Sequence, residues 1–346
     1  MNKPPLLSIC IPTLNRGKFI PETLDSIISQ GQNDIEIIIL DGGSIDNTTK
    51  VIKKYLEDYS FIKYIKLNKK NKKPHGYSFD EDVNMSISKS TGTYCWFFSD
   101  DDIVKPGAIN TILNNLVLSP DMLILNSEVM DKKMSKIIRP NSLKIEKDLI
   151  YKNNDFEKFV IRTADYLTYF GCVVIKKSIW DARNKVRYFG TFFAHVGVIF
   201  QKSFHNNILV IAQPLISIRY GNASWSETSF YYFLVVWPKL IWAFKNISDE
   251  AKIKICKKNF SKSLLTLLLY RARGSYSVKE YNKYFKDLFS PYSVIKYINY
   301  LIAIFPGHFL NTFLYIYFTI FSFLHSNSEF YLIDLKNSRF FYKNLF

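Results

Sequence analysis

Cysteine and histidine are both scarce in this chain of 346 residues, which has four of the first and five of the second. Cys10, Cys95, Cys172 and Cys256 stand far apart, with no CxxC pair and no histidine cluster at metal-ligand spacing. That spacing excludes a disulfide scaffold or a zinc cage as the organising element, and the cysteines read as reduced core thiols. Long apolar runs are missing too. Val294 to Phe305 (VIKYINYLIAIF) and Phe309 to Leu324 (FLNTFLYIYFTIFSFL) are separated by Pro306-Gly307-His308. Neither reaches the roughly 20 residues that span a bilayer. The N-terminal MNKPPLLSICIP is interrupted by proline too early for a secretory signal, which predicts a cytoplasmic protein. No internal repeat or low-complexity linker stands out, so one large domain or two smaller ones is expected. Acidic residues are the minority, with 30 Asp and Glu against 46 Lys and Arg, for a net charge of +16. The excess predicts an anionic partner surface. It comes without a nucleic-acid recognition motif, so nucleic acid is the weakest of the anionic partners.

Apolar residues, 48% of the chain with an aromatic share of 16%, are sufficient for a sizeable core. Leu6 to Ile11 (LLSICI), Ile35 to Leu40 (IEIIIL), Ile62 to Leu67 and Tyr94 to Phe98 read as short buried strands. Helical patterns separate them at Ile20 to Gln30, with Pro21 in the first turn, at Asn47 to Tyr59 behind an Asp46 N-cap, and at Phe79 to Lys89. A lysine-rich loop with Pro74 and Gly76 precedes the last of these helices. This alternation predicts a doubly wound α/β sheet, whose ligand lies outside the carboxyl ends of the strands. Thr13, Asn15, Asp41 and Asp100 to Asp102 all follow predicted strand ends, so they should border one crevice.

A second α+β part is expected from Ala108 to about Trp225, with strands at Met122 to Asn126, Cys172 to Ile175 and Leu209 to Ile211. The predicted organisation is therefore a domain over residues 1–225, with halves 1–107 and 108–225, and a helical region over 226–346. Within that last region, Lys239 to Asp287 holds about twelve basic residues against four acidic ones. Basic helices ahead of an aromatic-rich apolar hairpin suit an anionic membrane surface. The two apolar runs are read first as interfacial or re-entrant helices. A hairpin buried in the protein and one spanning helix are the alternatives.

Three consecutive aspartates repel one another, and such a cluster is most useful where a hard Mg²⁺ or Mn²⁺ bridges carboxylates to substrate phosphates. The competing reading is a solvated acidic turn ahead of the helix near Pro106. Three segments together, SICIPTLNR, EIIILDGGSIDNT and GTYCWFFSDDDIVKPGAI, resemble the successive motifs of glycosyltransferase family 2, which has the GT-A (Rossmann-like) fold. Within that family, SDDD, YFGCVVIKKSIW and RYGNASW are most similar to abequosyltransferase-type enzymes of O-antigen synthesis. The resemblance covers about 110 residues well and extends more loosely to about Trp225.

The resemblance implies a mixed doubly wound sheet with a C-terminal helical, membrane-associating extension. It implies a nucleotide-diphosphate sugar donor, a lipid-linked or oligosaccharide acceptor, Mn²⁺ or Mg²⁺, and a place at the inner face of the cell membrane. Pro12, Thr13 and Asn15 would line the nucleotide pocket. Asp41 would accept from the base, and Asp82 would contact nucleotide or donor sugar. Asp101 is the first choice as metal ligand, with Asp100 and Asp102 beside it, because Ser99 stands where the family has its first aspartate. Family members carry an acidic base near the start of a later helix. The matching stretch here, Phe189 to Gln201, has no acid, leaving His195 as the candidate base ahead of Asp165, Glu227 and His205. The same residue is equally readable as a hydrogen-bonded core histidine. Two other functions remain open on these residues. One is a catalytically inactive nucleotide-sugar-binding protein of the membrane surface. The other is a sugar nucleotidyltransferase, although the glycine-rich basic signature of that class is missing from LSICIPTLNRGKF.

Overall fold

The computed structural model describes residues 4–68, 75–223, 226–257, 264–287, 290 and 293–343. Three expectations fall partly or wholly outside them: the lysine-rich loop at 69–74, the end of RYGNASW at Ser224 and Trp225, and the first residues of MNKPP. The chain divides into two compact units, Met1–Arg219 with Phe244–Ile255, and Tyr220–Ala243 with Cys256–Phe346.

The first unit is built on a mixed sheet of ten strands among the described residues. They are β1 (Leu7–Thr13), β2 (Ile35–Asp41), β3 (Ile62–Lys66), β4 (Tyr94–Phe97), β5 (Ile103–Val104), β6 (Met122–Met130), β7 (Ile137–Arg139), β8 (Leu149–Tyr151), β9 (Val173–Lys176) and β10 (Ile208–Arg219). The order is β3-β2-β1-β4-β9-β6-β10-β5, with β7 on β6 and β8 on β10. Strands β3, β2, β1 and β4 are parallel, as the alternation with helices requires, whereas β9 runs antiparallel to both β4 and β6. The helices that serve this sheet are α1 (Ile20–Ile28), α2 (Thr48–Asp58), α3 (His75–Ser88), α4 (Ala108–Leu116), α5 (Phe156–Thr163), α6 (Lys177–Ala182) and α7 (Ala194–Phe200). Ile9, Ile11, Ile37 and Ile39 of the central strands meet Leu24 and Ile27 of α1 in the main core. Pro21 lies in the first turn of α1, as expected. Asp46 acts one position ahead of the N-cap of α2, where its Oδ1 accepts from Thr48 N at 3.0 Å.

Strand β1 does not stop at Pro12, as the apolar run suggested, but continues to Thr13. Cys10 O accepts from Phe98 N on the β4 side, and Thr13 O accepts from Gly42 N on the β2 side, both at 2.9 Å. Groups alternate along a strand, so the nitrogen of Pro12 faces β4. Pairing with β4 has already ended there, at Cys10 and Phe97. The missing donor leaves no ladder bond unmade, which is the condition under which proline is tolerated in a sheet. Beyond Cys10 the sheet therefore forks, and β1 leaves β4 while remaining paired to β2 through Thr13 and Asp41.

The second unit is helical. Its segments include Leu264–Arg273, Val278–Tyr284, Val294–Ile304, Gly307–Ile320 and Ser328–Lys336. Gly307–Ile320 turns Leu310, Leu314 and Phe318 into a cluster with Leu269, Ala272 and Leu335. Its other face leaves Phe309, Phe313, Ile316 and Ile320 exposed. The helix is thus apolar on both faces. Val294–Ile304 repeats the pattern, with Ile302 and Ala303 inside and Val294, Ile295, Tyr297 and Leu301 outside. The two helices meet at 98°, and among the described residues no helix is long and apolar enough to cross a membrane.

Candidate active site

The loops after β1 and β2 are tied to each other. Asn15, in the left-handed region at φ 56°, accepts at Oδ1 from Ile45 N at 2.9 Å and donates its own N–H to Ser44 Oγ at 2.8 Å. Gly17 is needed for this approach, because a Cβ there would lie 2.1 Å from Asn47 Oδ1 and 2.8 Å from Thr48 N. Asp41 is fully buried at the end of β2. Its Oδ1 accepts from Gly43 N at 2.9 Å and Ser44 N at 2.6 Å, and its Oδ2 accepts from Tyr64 Oη at 2.6 Å. Burial, reinforced by this carboxylate, pushes the Tyr64 phenol up to about 12. Asp41 thus shapes the loop that presents Gly42 and Gly43. A Cβ on Gly42 would stand 3.1 Å from Asp82 Oδ2, so α3 delivers the Asp82 carboxylate to the same strand end. Thr13 completes the group, its hydroxyl buried with no hydrogen-bond partner among the described residues.

The three aspartates after β4 are buried but do not converge. Asp100 Oδ1 lies 3.5 Å from Arg16 Nε, and Asp101 Oδ2 lies 3.6 Å from a terminal nitrogen of the same guanidinium. Ser99 donates to Asp101 Oδ1. Asp102 is turned away and taken by protein donors: Tyr169 Oη at 2.6 Å and Arg219 N at 2.8 Å. Burial, with repulsion from Asp101 next, raises Asp100 to about 7 against the opposing pull of Arg16. The same two causes hold Asp102 well above the usual carboxylate range. Arg219, at the end of β10, braces the loop from behind. Its Nε donates to Asp101 O at 2.8 Å and its other nitrogens reach Lys132 O at 3.0 Å and Glu22 at 2.5 Å. Phe19 has both Arg16 and Arg219 over its ring, at 5.6 and 5.3 Å. Beside the Asp102–Tyr169 bond, Phe79 of α3 packs against Phe170 and Phe192 at 5.0 and 4.8 Å, a half-buried aromatic rim.

His195, the candidate base, lies inside the protein. All seven residues of α7 are buried, and His195 Nε2 lies 2.7 Å from Leu167 O. Burial lowers its affinity for a proton to about 4. It is a neutral core histidine donating to a backbone carbonyl, the second of the two readings its sequence allows. What stands at the head of α7 instead is Asp80 of α3, which the sequence pattern does not single out. Its carboxylate accepts from Gly190 N at 2.9 Å, Phe192 N at 3.0 Å and Ala194 N at 3.2 Å. Burial drives it up to about 7 although those backbone donors act the other way. At the other end of α7, Arg183 donates to Val198 O at 2.8 Å and Ile199 O at 2.9 Å. A His195→Gln variant is expected to keep the wild-type shape of its turnover–pH profile. Its stability should fall less than wild type on acidification from pH 6.5 towards 4, because the unfolded histidine binds a proton that the folded one refuses. Loss of a limb near neutrality in the turnover profile would restore the base role.

Asp100 and Asp101 are hard oxygen donors placed side by side, already straddled by one cation, with the buried Thr13 hydroxyl acting on Asp100 from the neighbouring strand end. That donor set fits Mg²⁺ or Mn²⁺. Among the described residues no three His, Cys, Asp or Glu side chains form a metal cage. Such an ion would draw its other ligands from phosphate and water, as these ions commonly do.

The mixed sheet, with Thr13, Asp41 and the aspartates after β4 at the carboxyl ends of its parallel half, has the fold of GT-A glycosyltransferases. The solved structure of Staphylococcus aureus TarS, residues 1–349, shares it with a TM-score of 0.53 over 96% of this chain and 89% of that one, at 12% identity. Sequence comparison is more specific: the model for glycosyl transferase family 2 matches residues 8–178, and the chain belongs to that family. Abequosyltransferase RfbV of Salmonella typhimurium is 27% identical over 234 residues, 64% of this chain and 69% of the relative. The GalNAc(5)-diNAcBac-PP-undecaprenol beta-1,3-glucosyltransferase of Campylobacter jejuni is 34% identical over 110 residues, only 32% of this chain and 34% of the relative.

Proposed function

We propose that this glycosyltransferase moves a hexosyl or deoxyhexosyl group from a nucleotide-diphosphate sugar to a hydroxyl of a lipid-linked or growing bacterial surface glycan, with Mn²⁺ or Mg²⁺. The observation that carries the reading is the pair of adjacent carboxylates, Asp100 and Asp101, at the fork between β1 and β4. They open towards a cation and stand next to the loops held by Asn15 and Asp41. The names of the two relatives support a surface-glycan role, and the second specifies a diphosphate-linked polyprenol. TarS has been solved with UDP-GlcNAc, which supports a nucleotide-sugar donor for the shared fold.

Asp100 and Asp101 would hold the ion, which when bound neutralises charge on the leaving diphosphate. Asp102 acts differently. Through Tyr169 and Arg219 it fixes the loop so that the other two carboxylates keep their positions. The Gly42-Gly43 backbone gives a flat nucleoside room to approach, and Asp82 lies beside it for donor hydroxyls. The rim of Phe79, Phe170 and Phe192 offers apolar surface to one face of a sugar ring. The outward faces of Val294–Ile304 and Gly307–Ile320, together with the basic excess before them, fit an anionic membrane surface in the plane of the lipid headgroups.

Purified protein with Mn²⁺ is expected to release nucleoside diphosphate from one member of a panel of UDP-, GDP-, CDP- and dTDP-sugars. It should also sediment with anionic vesicles and less with neutral ones. No release from any donor, with or without glycan acceptor, would sink the transferase reading, whereas pyrophosphate release would favour a nucleotidyltransferase. Indifference to vesicle charge would remove the anionic membrane from the proposal.

A further inference from the structure

The geometry points to Asp80 as a positioning residue. Its carboxylate holds Phe192 in a backbone conformation that phenylalanine avoids, and so sets an aromatic platform on which a pyranose ring of a substrate stacks. The inference deepens the sugar-transfer reading above and rests on it. Backbone conformation is the first support. Phe192 lies in the left-handed region at φ 68°, and Gly190 shortly before it at φ 91°. Glycine takes such values freely, whereas a bulky side chain there is an outlier that persists only where its surroundings enforce it. Asp80 is the enforcing group. Its Oδ2 accepts from Gly190 N at 2.9 Å and from Phe192 N at 3.0 Å, and its Oδ1 accepts from Ala194 N at 3.2 Å. One oxygen thus takes the amides of both left-handed residues. Asp80 is 2% exposed, so water does not compete for those donors.

The placement of the ring is the second support. The flanks of the loop are fixed by other groups: a Cβ on Gly197 would stand 2.3 Å from Tyr188 Cγ, so α7 rests directly on the Tyr188 ring, and Arg183 holds the far end of α7. What is left for Asp80 to govern is the short course between them. Phe193 goes wholly into the core there, while Phe192 stays half-buried on the rim. Phe79, the neighbour of Asp80 on α3, meets the Phe192 ring at 4.8 Å and the Phe170 ring at 5.0 Å. Packing alone does not call for a strained backbone that leaves its ring half outside, whereas strain of this kind gathers where substrates are held. The same helix carries Asp82 to Gly42, and Tyr169, next to Phe170, bonds Asp102, so the platform is tied to the crevice from two sides. Half-buried aromatic faces without charge suit the apolar C–H face of a pyranose.

The test has two arms on the full chain. One is saturation-transfer NMR with the methyl pyranosides of glucose, galactose, mannose and N-acetylglucosamine. The other is calorimetry in Mn²⁺ with UDP, GDP, CDP and dTDP and with their sugar conjugates. A pyranoside saturated mainly on the C–H protons of one ring face marks the platform as the acceptor's. A conjugate that binds more tightly than its bare diphosphate marks it as the donor's. In whichever arm is positive, Phe192→Gly should weaken sugar binding on the order of tenfold, and Phe192→Tyr, which keeps the ring, should restore it. Asp80→Asn cannot accept at both oxygen positions and should cause a similar loss. Added to Phe192→Gly it should cost nothing further, because Asp80 acts through that residue. Should Asp80→Asn fail to fold alone, the double variant, relieved of the strain, carries the comparison. Phe192→Gly should also melt above Phe192→Ala, by about 2–4 °C, since only glycine is at ease in the left-handed region. Sugar binding indifferent to Phe192→Gly, additive losses in the double variant, or equal melting of the glycine and alanine variants would overturn the inference and leave the transferase reading standing. Wild type that binds no nucleoside diphosphate would overturn that reading, and this inference with it.

Discussion

Asp101→Ala is expected to lower turnover by on the order of 10²- to 10³-fold, the range seen when one stabiliser of developing charge is deleted. It should do so without lowering the melting temperature. Asp101 is the next cause after burial of the raised proton affinity of both Asp100 and Asp102, so its removal relieves repulsion in a buried loop. Arg16 keeps Asp100 as a partner, and Arg219 holds position 101 through the backbone carbonyl, which alanine retains. A pH signature accompanies the change. Asp100 rises from 3.8 to about 7 on folding, so the native state binds the extra proton in that window and loses stability as pH increases through it. In the variant this loss should shrink. Metal-free melts from pH 4 to 7, set beside nucleoside diphosphate release, check both halves. A variant that melts far below wild type, or that turns over normally, would remove Asp101 from the role given to it.

Arg219→Ala should fail in the opposite way, through the fold first. The side chain is 3% exposed and serves two backbone carbonyls, Asp101 O and Lys132 O. Its link to Glu22 counts for less, because that carboxylate is 55% exposed and screened by water. Loss of the buried bond to Asp101 O and the part-buried one to Lys132 O, and the space vacated beside Phe19, should cost about 2 kcal/mol, or roughly 4–8 °C in melting temperature. Turnover should fall too, because the loop bearing Asp100 and Asp101 loses its brace. Lysine offers no fork and should restore little of either. Near-normal stability in Arg219→Ala would show that the loop is held by Tyr169 and Thr23 alone.

What was legible in the sequence was local. Parallel strands buried on both faces read as apolar runs, and polar residues just after them mark the crevice, so Thr13, Asn15, Asp41 and Asp101 could be found by inspection. Asp82 followed from the family resemblance. The partners that decide what each carboxylate does come from far along the chain. Tyr169 is 67 residues from Asp102, Arg219 is 118 from Asp101, and Asp80 is 110 from Gly190. No periodicity encodes those meetings, which is why Asp102 was grouped with its neighbours and Asp80 was missed. His195 is ambiguous in the sequence for a related reason. FFAHVGVIF is consistent with a histidine at a cleft or in a core, and only tertiary burial separates the two. The apolar hairpin was legible as composition, and its two-faced character needed the inward stripe of Leu310, Leu314 and Phe318 to be seen.

Pro12 costs the sheet nothing at the place where it stands. Pairing between β1 and β4 is complete at Cys10 and Phe97, two residues before the ring, while the other edge of β1 goes on to Thr13 and Asp41. A residue without an N–H therefore sits where no neighbouring strand asks for one. The polar chemistry of that strand end is left to side chains, those of Thr13, Asn15 and Asp41, and can change without rewriting the sheet beneath it.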